Sequence, residues 1–240
     1  MAIESHKRLP RINLVVIHRY PMVRLGIRTA VQLEERIGVV GETADPDEGF
    51  ELVDAARPAV VILGMQFPGR TGFDVLRDLK KRWPSVRILI YCDVPLSDFP
   101  ERCLRAGAYG YLAMSEPIRN FLQAILKIQR GQIYLSDEHS TPLLWRLTRD
   151  QSTTPRSRVE ALSESELGVL TFIAKGMSNR EIARALHRSV KTVETYRTRI
   201  KRKVGVANAT ALAQFAVMQF DPGSLARVVA RAEGKTVDSG

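Results

Sequence analysis

The first 130 residues alternate short apolar runs with amphipathic stretches, at intervals of about 20 to 25 residues. The apolar runs are rich in Val, Ile, Leu and Tyr, which is typical of strands buried on both faces of a parallel sheet. We predict strands at residues 13–17, 39–41, 60–63, 87–91 and 109–112. We predict helices at residues 21–35, 46–56, 72–82, 96–106 and 117–130. This alternation indicates an α/β domain over residues 1–130, with a doubly wound, five-stranded parallel sheet.

The hydrophobic period changes after residue 130. Residues 131–160 contain the polar stretch TRDQSTTPRSR, which has no apolar period, and we predict a linker there that is flexible in its second half. Beyond it, apolar positions recur with helical spacing, and four helix starts are indicated at Ser163, Ser178, Ser189 and Asn208. The first two starts carry a Glu three residues after the Ser, which is a capping box. We therefore predict an all-α four-helix domain over residues 161–220 and a C-terminal tail over residues 221–240.

The charge of the chain narrows the class of its partner. The 36 basic and 26 acidic residues give a formal net charge of +10, which favours a polyanion such as nucleic acid or an anionic membrane surface. Between residues 188 and 203, seven basic residues stand against the single acid Glu194. No apolar run has membrane-spanning length and the N-terminus lacks a secretory signal, so we expect a cytoplasmic protein with no membrane partner. Cys92 and Cys103 are too few for a disulfide framework and are expected to be packing residues.

The second and third helices of the C-terminal domain have helix-turn-helix proportions, and the third is the basic one. Its apolar positions lie on one side, at Val193, Tyr196, Ile200 and Val204. Its polar positions recur on the opposite side, at Lys191, Glu194, Thr195, Thr198, Lys201 and Arg202. A solvated charged face is one interpretation of this pattern. The excess of cations, the interleaved hydroxyl side chains and a helix start suited to a phosphate favour DNA binding instead.

Residues 162–212, with the blocks GMSNREIA and SVKTVETYR, resemble the LuxR-type helix-turn-helix, and residues 1–130 resemble a response-regulator receiver of flavodoxin-like fold. Together they resemble the NarL/FixJ class of two-domain transcription regulators, and its RcsB-like branch in particular. The resemblance implies that Lys191, Thr192, Glu194, Thr195 and Thr198 lie in the major groove or at its edge. It also implies that Arg197, Arg199, Lys201 and Arg202 approach phosphates. A carboxylate in the groove favours particular bases at the expense of affinity.

The receiver half departs from the family at its chemical positions. The resemblance places His18 and Arg19 at the acidic pair that holds Mg²⁺, and Gly64 at the aspartate that accepts phosphate. It places Cys92 at the hydroxyl position and Met114 at the lysine. An imidazole and a guanidinium are poor substitutes for the oxygen ligands of Mg²⁺, so we expect no metal and no cofactor. Two interpretations of the altered pocket stay open: inert packing, or a new anion, ligand or pH-sensitive site formed by His18, Arg19 and Cys92.

These observations predict a bacterial, cytoplasmic, non-enzymatic transcription regulator that binds promoter DNA independently of phosphorylation. We expect a homodimer, with apolar residues of 21–35 and 96–121 either forming the dimer face or packing on the sheet. RNA polymerase is a further candidate partner. The alternatives are a displaced phosphate acceptor such as Asp45 or Asp93, and a subunit that binds DNA only as a heterodimer with another regulator. An α/β enzyme is disfavoured because no nucleophile with a base, no Gly-rich phosphate loop and no metal cluster stands at the strand ends.

Overall fold

The computed structural model of the protein describes residues 11–93, 99–148, 158–159 and 161–220. The chain divides into two compact units, which are described separately. The first covers residues 11–67, 72–93 and 100–140 of the described chain, and the second comprises the rest. Among the described residues, no helix combines the length and the apolar character that crossing a membrane requires.

A five-stranded sheet forms the centre of the first unit, with strand order β2-β1-β3-β6-β7 and every neighbouring pair parallel. Its strands are β1 (Ile12–Ile17), β2 (Ile37–Thr43), β3 (Val60–Leu63), β6 (Arg87–Cys92) and β7 (Gly110–Ala113). Two short strands, β4 (Gln66–Phe67) and β5 (Arg70–Thr71), follow β3 in the chain. All four residues of β3 are fully buried, which explains why this strand is a continuous apolar run. The predicted parallel sheet is confirmed.

Helices α1–α5 connect the strands, at Pro21–Ala30, Pro46–Ala56, Gly72–Arg82, Phe99–Arg105 and Ile118–Gln129. Helices α2 and α3 have their predicted bounds. Helix α1 is shorter than predicted, because the chain tightens into a 3₁₀ turn at Val31–Leu33. The predicted start of α4 at residue 96 lies outside the described residues. Asp45 caps α2 by accepting hydrogen bonds from the backbone N–H groups of Asp47, at 2.7 Å, and Glu48, at 3.2 Å.

The first part of the predicted linker is ordered structure. Tyr134 is buried in the core beside the sheet, and its backbone pairs with the edge strand β7. The Tyr134 N–H donates to the Tyr109 carbonyl, at 2.9 Å, and the Tyr111 N–H donates to the Tyr134 carbonyl, at 3.1 Å. Helix α6 then spans Asp137–Thr148. The predicted linker therefore begins too early at residue 131, because pairing across the sheet edge has no local sequence signature; residues 149–157 and 160 lie outside the described part.

The four helices of the C-terminal domain begin directly after the predicted starts. They are α7 (Glu164–Ala174), α8 (Asn179–Ala185), α9 (Val190–Val204) and α10 (Ala209–Phe220). Both capping boxes form, at Ser163 and at Ser178. Gly205 ends α9 at a φ of 69°, in the left-handed region that glycine adopts at low cost. The predicted tail over residues 221–240 lies outside the described residues.

Candidate functional site

Helix α9 presents two different faces. Val193, Ile200 and Val204 are fully buried, and Tyr196 is half-buried, so one face packs on the rest of the helical unit. The Ser189 hydroxyl caps the helix by accepting from the Thr192 N–H at 3.0 Å. The direction of α9 is thus fixed by its cap and by its apolar face.

The predicted DNA-contacting residues lie on the remaining surface of α9. Six are exposed: Lys191, Glu194, Thr195, Thr198, Arg199 and Arg202. Thr192, Arg197 and Lys201 are half-buried. Partial burial lowers the pKa of Arg197, although a guanidinium stays charged at neutral pH. The helix therefore carries a cationic surface that is interrupted by one carboxylate and by hydroxyl side chains.

The threonine hydroxyls on this surface are bonded to the backbone of α9. The Thr195 hydroxyl donates to the Lys191 carbonyl at 2.9 Å, and the Thr198 hydroxyl donates to the Glu194 carbonyl at 3.0 Å. This back-bonding uses the hydroxyl proton and leaves the oxygen lone pairs and the methyl group for other contacts.

Helix α8 adds cations that the sequence interpretation did not include in the site. Arg180, Arg184, His187 and Arg188 line a cleft of about 660 Å³, together with Ser189 at the start of α9. Within the described part of the chain, these arginines form no ion pair. Arg180 and Arg184 stand four residues apart, which places them on one side of α8, and Arg188 follows in the turn before α9; this spacing was the available signal. In helix-turn-helix proteins the first helix of the pair crosses the DNA backbone, which is where such cations are useful.

Lys203 belongs to the basic segment and is exposed, but its ammonium group pairs with Glu166. Its ammonium group donates to Glu166 Oε2 at 2.6 Å, and the Glu166 side chain is only 3% exposed. The backbone N–H of Ser163 donates to the same oxygen at 2.7 Å. Burial alone would raise the pKa of Glu166, but the hydrogen bonds from Lys203 and Ser163 lower it below the ordinary value. Lys203 therefore joins α9 to the start of α7.

In the first unit, four of the predicted pocket residues meet at one edge of the sheet. His18, Gly64, Cys92 and Met114 stand at or directly after the carboxyl ends of β1, β3, β6 and β7. This edge is where open α/β sheets bind ligands. Arg19 follows His18 but is exposed, and its guanidinium lies 6.0 Å from the centre of the Tyr20 ring.

The His18 ring fills the space in front of Gly64. A Cβ atom at Gly64 would lie 2.7 Å from His18 Cδ2, far inside van der Waals contact. The ring is held on two sides, because the Tyr20 N–H donates to its Nδ1 at 3.3 Å and the Tyr91 carbonyl accepts from it. The Tyr20 hydroxyl in turn donates to Gln66 Oε1 at 3.1 Å. A buried, hydrogen-bonded imidazole therefore occupies the place of a side chain at residue 64.

His18 and Cys92 are both neutral at physiological pH. Burial lowers the pKa of His18 to about 4; the bond to Tyr91 opposes this shift and the charge of Arg24 adds to it. Burial, followed by the charge of Asp93, raises the pKa of the Cys92 thiol. With Arg19 directed at Tyr20, these groups offer little to an anion. Of the two interpretations of the pocket, this geometry favours packing.

Titration of His18 should make the fold sensitive to acid. The unfolded chain takes up this proton near pH 6.5 and the folded chain only near pH 4, so stability falls as the pH drops through this window. We expect a loss of about 3 kcal/mol by pH 4 relative to His18→Asn. Urea unfolding of both proteins across this range checks the difference, and parallel stability curves would exclude His18 as the source.

One group outside the pocket has the composition of a cation site. Glu116, Glu138 and His139 place one ligand atom each within 4.8 Å of one another. Glu138 is exposed in the first turn of α6, where an acidic residue is stabilised by the helix dipole without any ion. The His139 Nδ1 lies 2.8 Å from the Ser136 hydroxyl, so its orientation also has a local explanation.

A doubly wound parallel sheet unit followed by a helix-turn-helix unit defines a two-domain DNA-binding response regulator. Residues 14–126 match the response regulator receiver domain, and residues 160–216 match the bacterial regulatory proteins of the luxR family. The chain is 31% identical over 202 residues to the "virulence factors putative positive transcription regulator BvgA" of Bordetella pertussis, covering 84% of this chain and 93% of that one. It is 30% identical over 201 residues to the nitrate/nitrite response regulator protein homolog of Haemophilus influenzae, with 84% and 94% coverage.

The chain therefore belongs to the response regulators with a receiver and a LuxR-type DNA-binding domain. The BvgA relative is by name a transcription regulator, in agreement with the expectation of a non-enzymatic protein. The fold is also that of the RcsB response regulator of Salmonella typhimurium, with a TM-score of 0.71 at 23% identity over 88% of this chain and all of that one. A LuxR-family response regulator from Aurantimonas sp. SI85-9A1 is 26% identical, with a TM-score of 0.54, over 58% of this chain and 99% of that one.

Proposed function

We propose that this response regulator binds promoter DNA in a sequence-specific manner and does so without aspartyl phosphorylation, as a dimer in the bacterial cytoplasm. The observation that carries the proposal is at the family's acceptor position. Gly64 has no side chain to phosphorylate, and the His18 ring fills the space where one would stand. Within the part of the chain that the structure describes, the family's ligand positions around it carry His18, Arg19, Cys92 and Met114 instead of the oxygen ligands that Mg²⁺ needs.

The DNA interface that we propose consists of two helices. The exposed surface of α9 would enter the major groove, with Lys191, Thr192, Glu194, Thr195 and Thr198 at the bases. Arg197, Arg199, Lys201 and Arg202 would approach phosphates, as would the arginines of the α8 cleft. Phosphate contacts supply much of the affinity and base contacts supply the selectivity, so this division predicts which property each substitution changes.

Dimerisation is supported by the general geometry of helix-turn-helix proteins, which bind half-sites about one turn of DNA apart. RcsB, which shares this fold, is a dimer in a solved structure described as two RcsB dimers bound to two parallel DNAs. In the present chain, α1 exposes Met22 and Leu25, with 74% and 43% of their surface accessible. A homodimer through this helix is our first choice; a heterodimer with another regulator is the alternative, and RNA polymerase is a candidate partner of either.

A displaced phosphate acceptor is the competing function. Asp45 is engaged as the cap of α2, where its carboxylate holds two backbone N–H groups. Asp93 is exposed directly after β6. Because the Asp45 carboxylate already accepts these two hydrogen bonds, Asp93 is the stronger of the two candidates.

Single substitutions on α9 should separate affinity from selectivity. We expect Lys191→Ala to weaken binding by roughly 1 to 3 kcal/mol, and Thr195→Ala to change mainly the preferred sequence. Titration of labelled promoter fragments by fluorescence anisotropy measures both effects. Lys81→Ala, which removes an exposed lysine of α3, is the matched control. Affinity and selectivity unchanged in both variants would show that α9 is not the reading helix.

A further inference from the structure

The middle of the exposed α9 surface carries a carboxylate, that of Glu194, which is unusual for a helix proposed to bind DNA. Glu194 is exposed, and within the described residues it forms no ion pair, although Lys191 and Arg197 stand three positions to either side. Residues three apart on a helix can reach one another. The carboxylate is thus free to accept hydrogen bonds from outside the protein.

The two threonines of this surface, Thr195 and Thr198, do not compete as hydrogen-bond donors. Thr195 and Thr198 use their hydroxyl protons on backbone carbonyls of α9, so they present lone pairs and methyl groups. Glu194, Thr195 and Thr198 together form a patch that accepts hydrogen bonds and makes apolar contacts. The cations Lys191 and Arg197 lie beside this patch and offset the repulsion between its carboxylate and the DNA phosphates.

Each base presents different groups to such a patch in the major groove. Guanine shows only acceptors there, N7 and O6, and would repel a carboxylate. Adenine shows an amino donor, but its N7 acceptor stands next to it. Cytosine shows an amino donor without an adjacent acceptor, and thymine shows a methyl group that suits a threonine methyl.

We infer that Glu194 reads a cytosine through its 4-amino group, and that the methyl groups of Thr195 and Thr198 favour a neighbouring thymine. The inference rests on the proposed insertion of α9 into the major groove. It extends that proposal by naming the base that Glu194 contacts. Glu194 is accordingly a specificity-determining residue that contributes little to affinity for DNA in general.

The test is selection of bound duplexes from a randomised DNA library by the purified full-length chain, followed by sequencing. We expect the wild-type protein to enrich one cytosine in each half-site. Glu194→Gln should lower that preference roughly tenfold and shift it towards adenine, because an amide pairs with adenine N6 and N7 together. Glu51→Gln, which removes an exposed carboxylate from α2, should leave the selected sequence unchanged.

The outcomes distinguish the inference from the function on which it rests. If Glu194→Gln selects the same bases as the wild-type protein and binds every duplex more tightly, Glu194 acts only through its charge and the inference is wrong. If the wild-type protein enriches one sequence but no cytosine in it responds to Glu194→Gln, the inference is wrong and the DNA is read by other residues. If the wild-type protein enriches no sequence at all, the proposed function itself fails.

Discussion

Substitution of Gly64 by aspartate is expected to destabilise the receiver unit without restoring phosphorylation. The new Cβ would lie 2.7 Å from His18 Cδ2, and the ring cannot withdraw without losing its bonds to Tyr20 and Tyr91. Overpacking of this kind costs about 1–3 kcal/mol, and burial of a carboxylate beside a neutral imidazole adds to the cost. Urea unfolding gives the stability, and intact mass after incubation with acetyl phosphate and Mg²⁺ gives the phosphorylation state.

Two further variants separate crowding from charge. Gly64→Ala adds only the Cβ and should already lower the free energy of unfolding, because residue 64 has no left-handed backbone to complicate the comparison. The double variant Gly64→Asp with His18→Ala removes the ring without adding a second charge and should recover part of the stability lost in the single aspartate variant. A stable, phosphorylated Gly64→Asp protein would show that His18 does not block this position.

Lys203→Met is expected to lower the free energy of unfolding by about 1–3 kcal/mol. The substitution keeps the apolar stem but leaves the buried Glu166 carboxylate without its cation; because the Lys203 side chain is itself 32% exposed, the loss is smaller than for a pair buried on both sides. Urea unfolding measures this loss. Adding Glu166→Gln should restore most of the stability, because the neutral amide needs no cation. At temperatures where the variant is folded, the salt dependence of DNA binding should be unchanged.

That last measurement distinguishes the two possible roles of Lys203. Each phosphate contact contributes about one unit to the salt slope of DNA binding. Loss of one unit in Lys203→Met with unchanged stability would assign Lys203 to the DNA instead of Glu166. Lys201→Met is the matched comparison, since Lys201 is proposed to approach a phosphate.

Local patterns in the sequence were sufficient for most of the fold. The caps at Ser163, Ser178 and Ser189 and the apolar run of β3 are each encoded within a few neighbouring residues, and the structure has them where the patterns indicate. Tyr134 was assigned to a linker because its pairing with the sheet edge joins residues that are distant in sequence.

The candidate site likewise combines features that a local sequence pattern predicts with contacts between residues that are distant in sequence. The two faces of α9 follow from helical spacing alone. The pairing of Lys203 with Glu166 spans 37 residues, and the contact between His18 and Gly64 joins two strands, so neither is visible in a local pattern. For the α8 segment only the capping box of Ser178 and Glu181 entered the prediction, so Arg180 and Arg184 were not assigned to the site.

The most direct test of the account combines modification and DNA binding in one sample. The purified protein is incubated with acetyl phosphate and Mg²⁺, its intact mass is measured, and its affinity for promoter DNA is compared with that of the untreated protein. We predict an unmodified mass and the same dissociation constant before and after treatment. A stoichiometric gain of one phosphoryl group, accompanied by tighter DNA binding, would contradict the account.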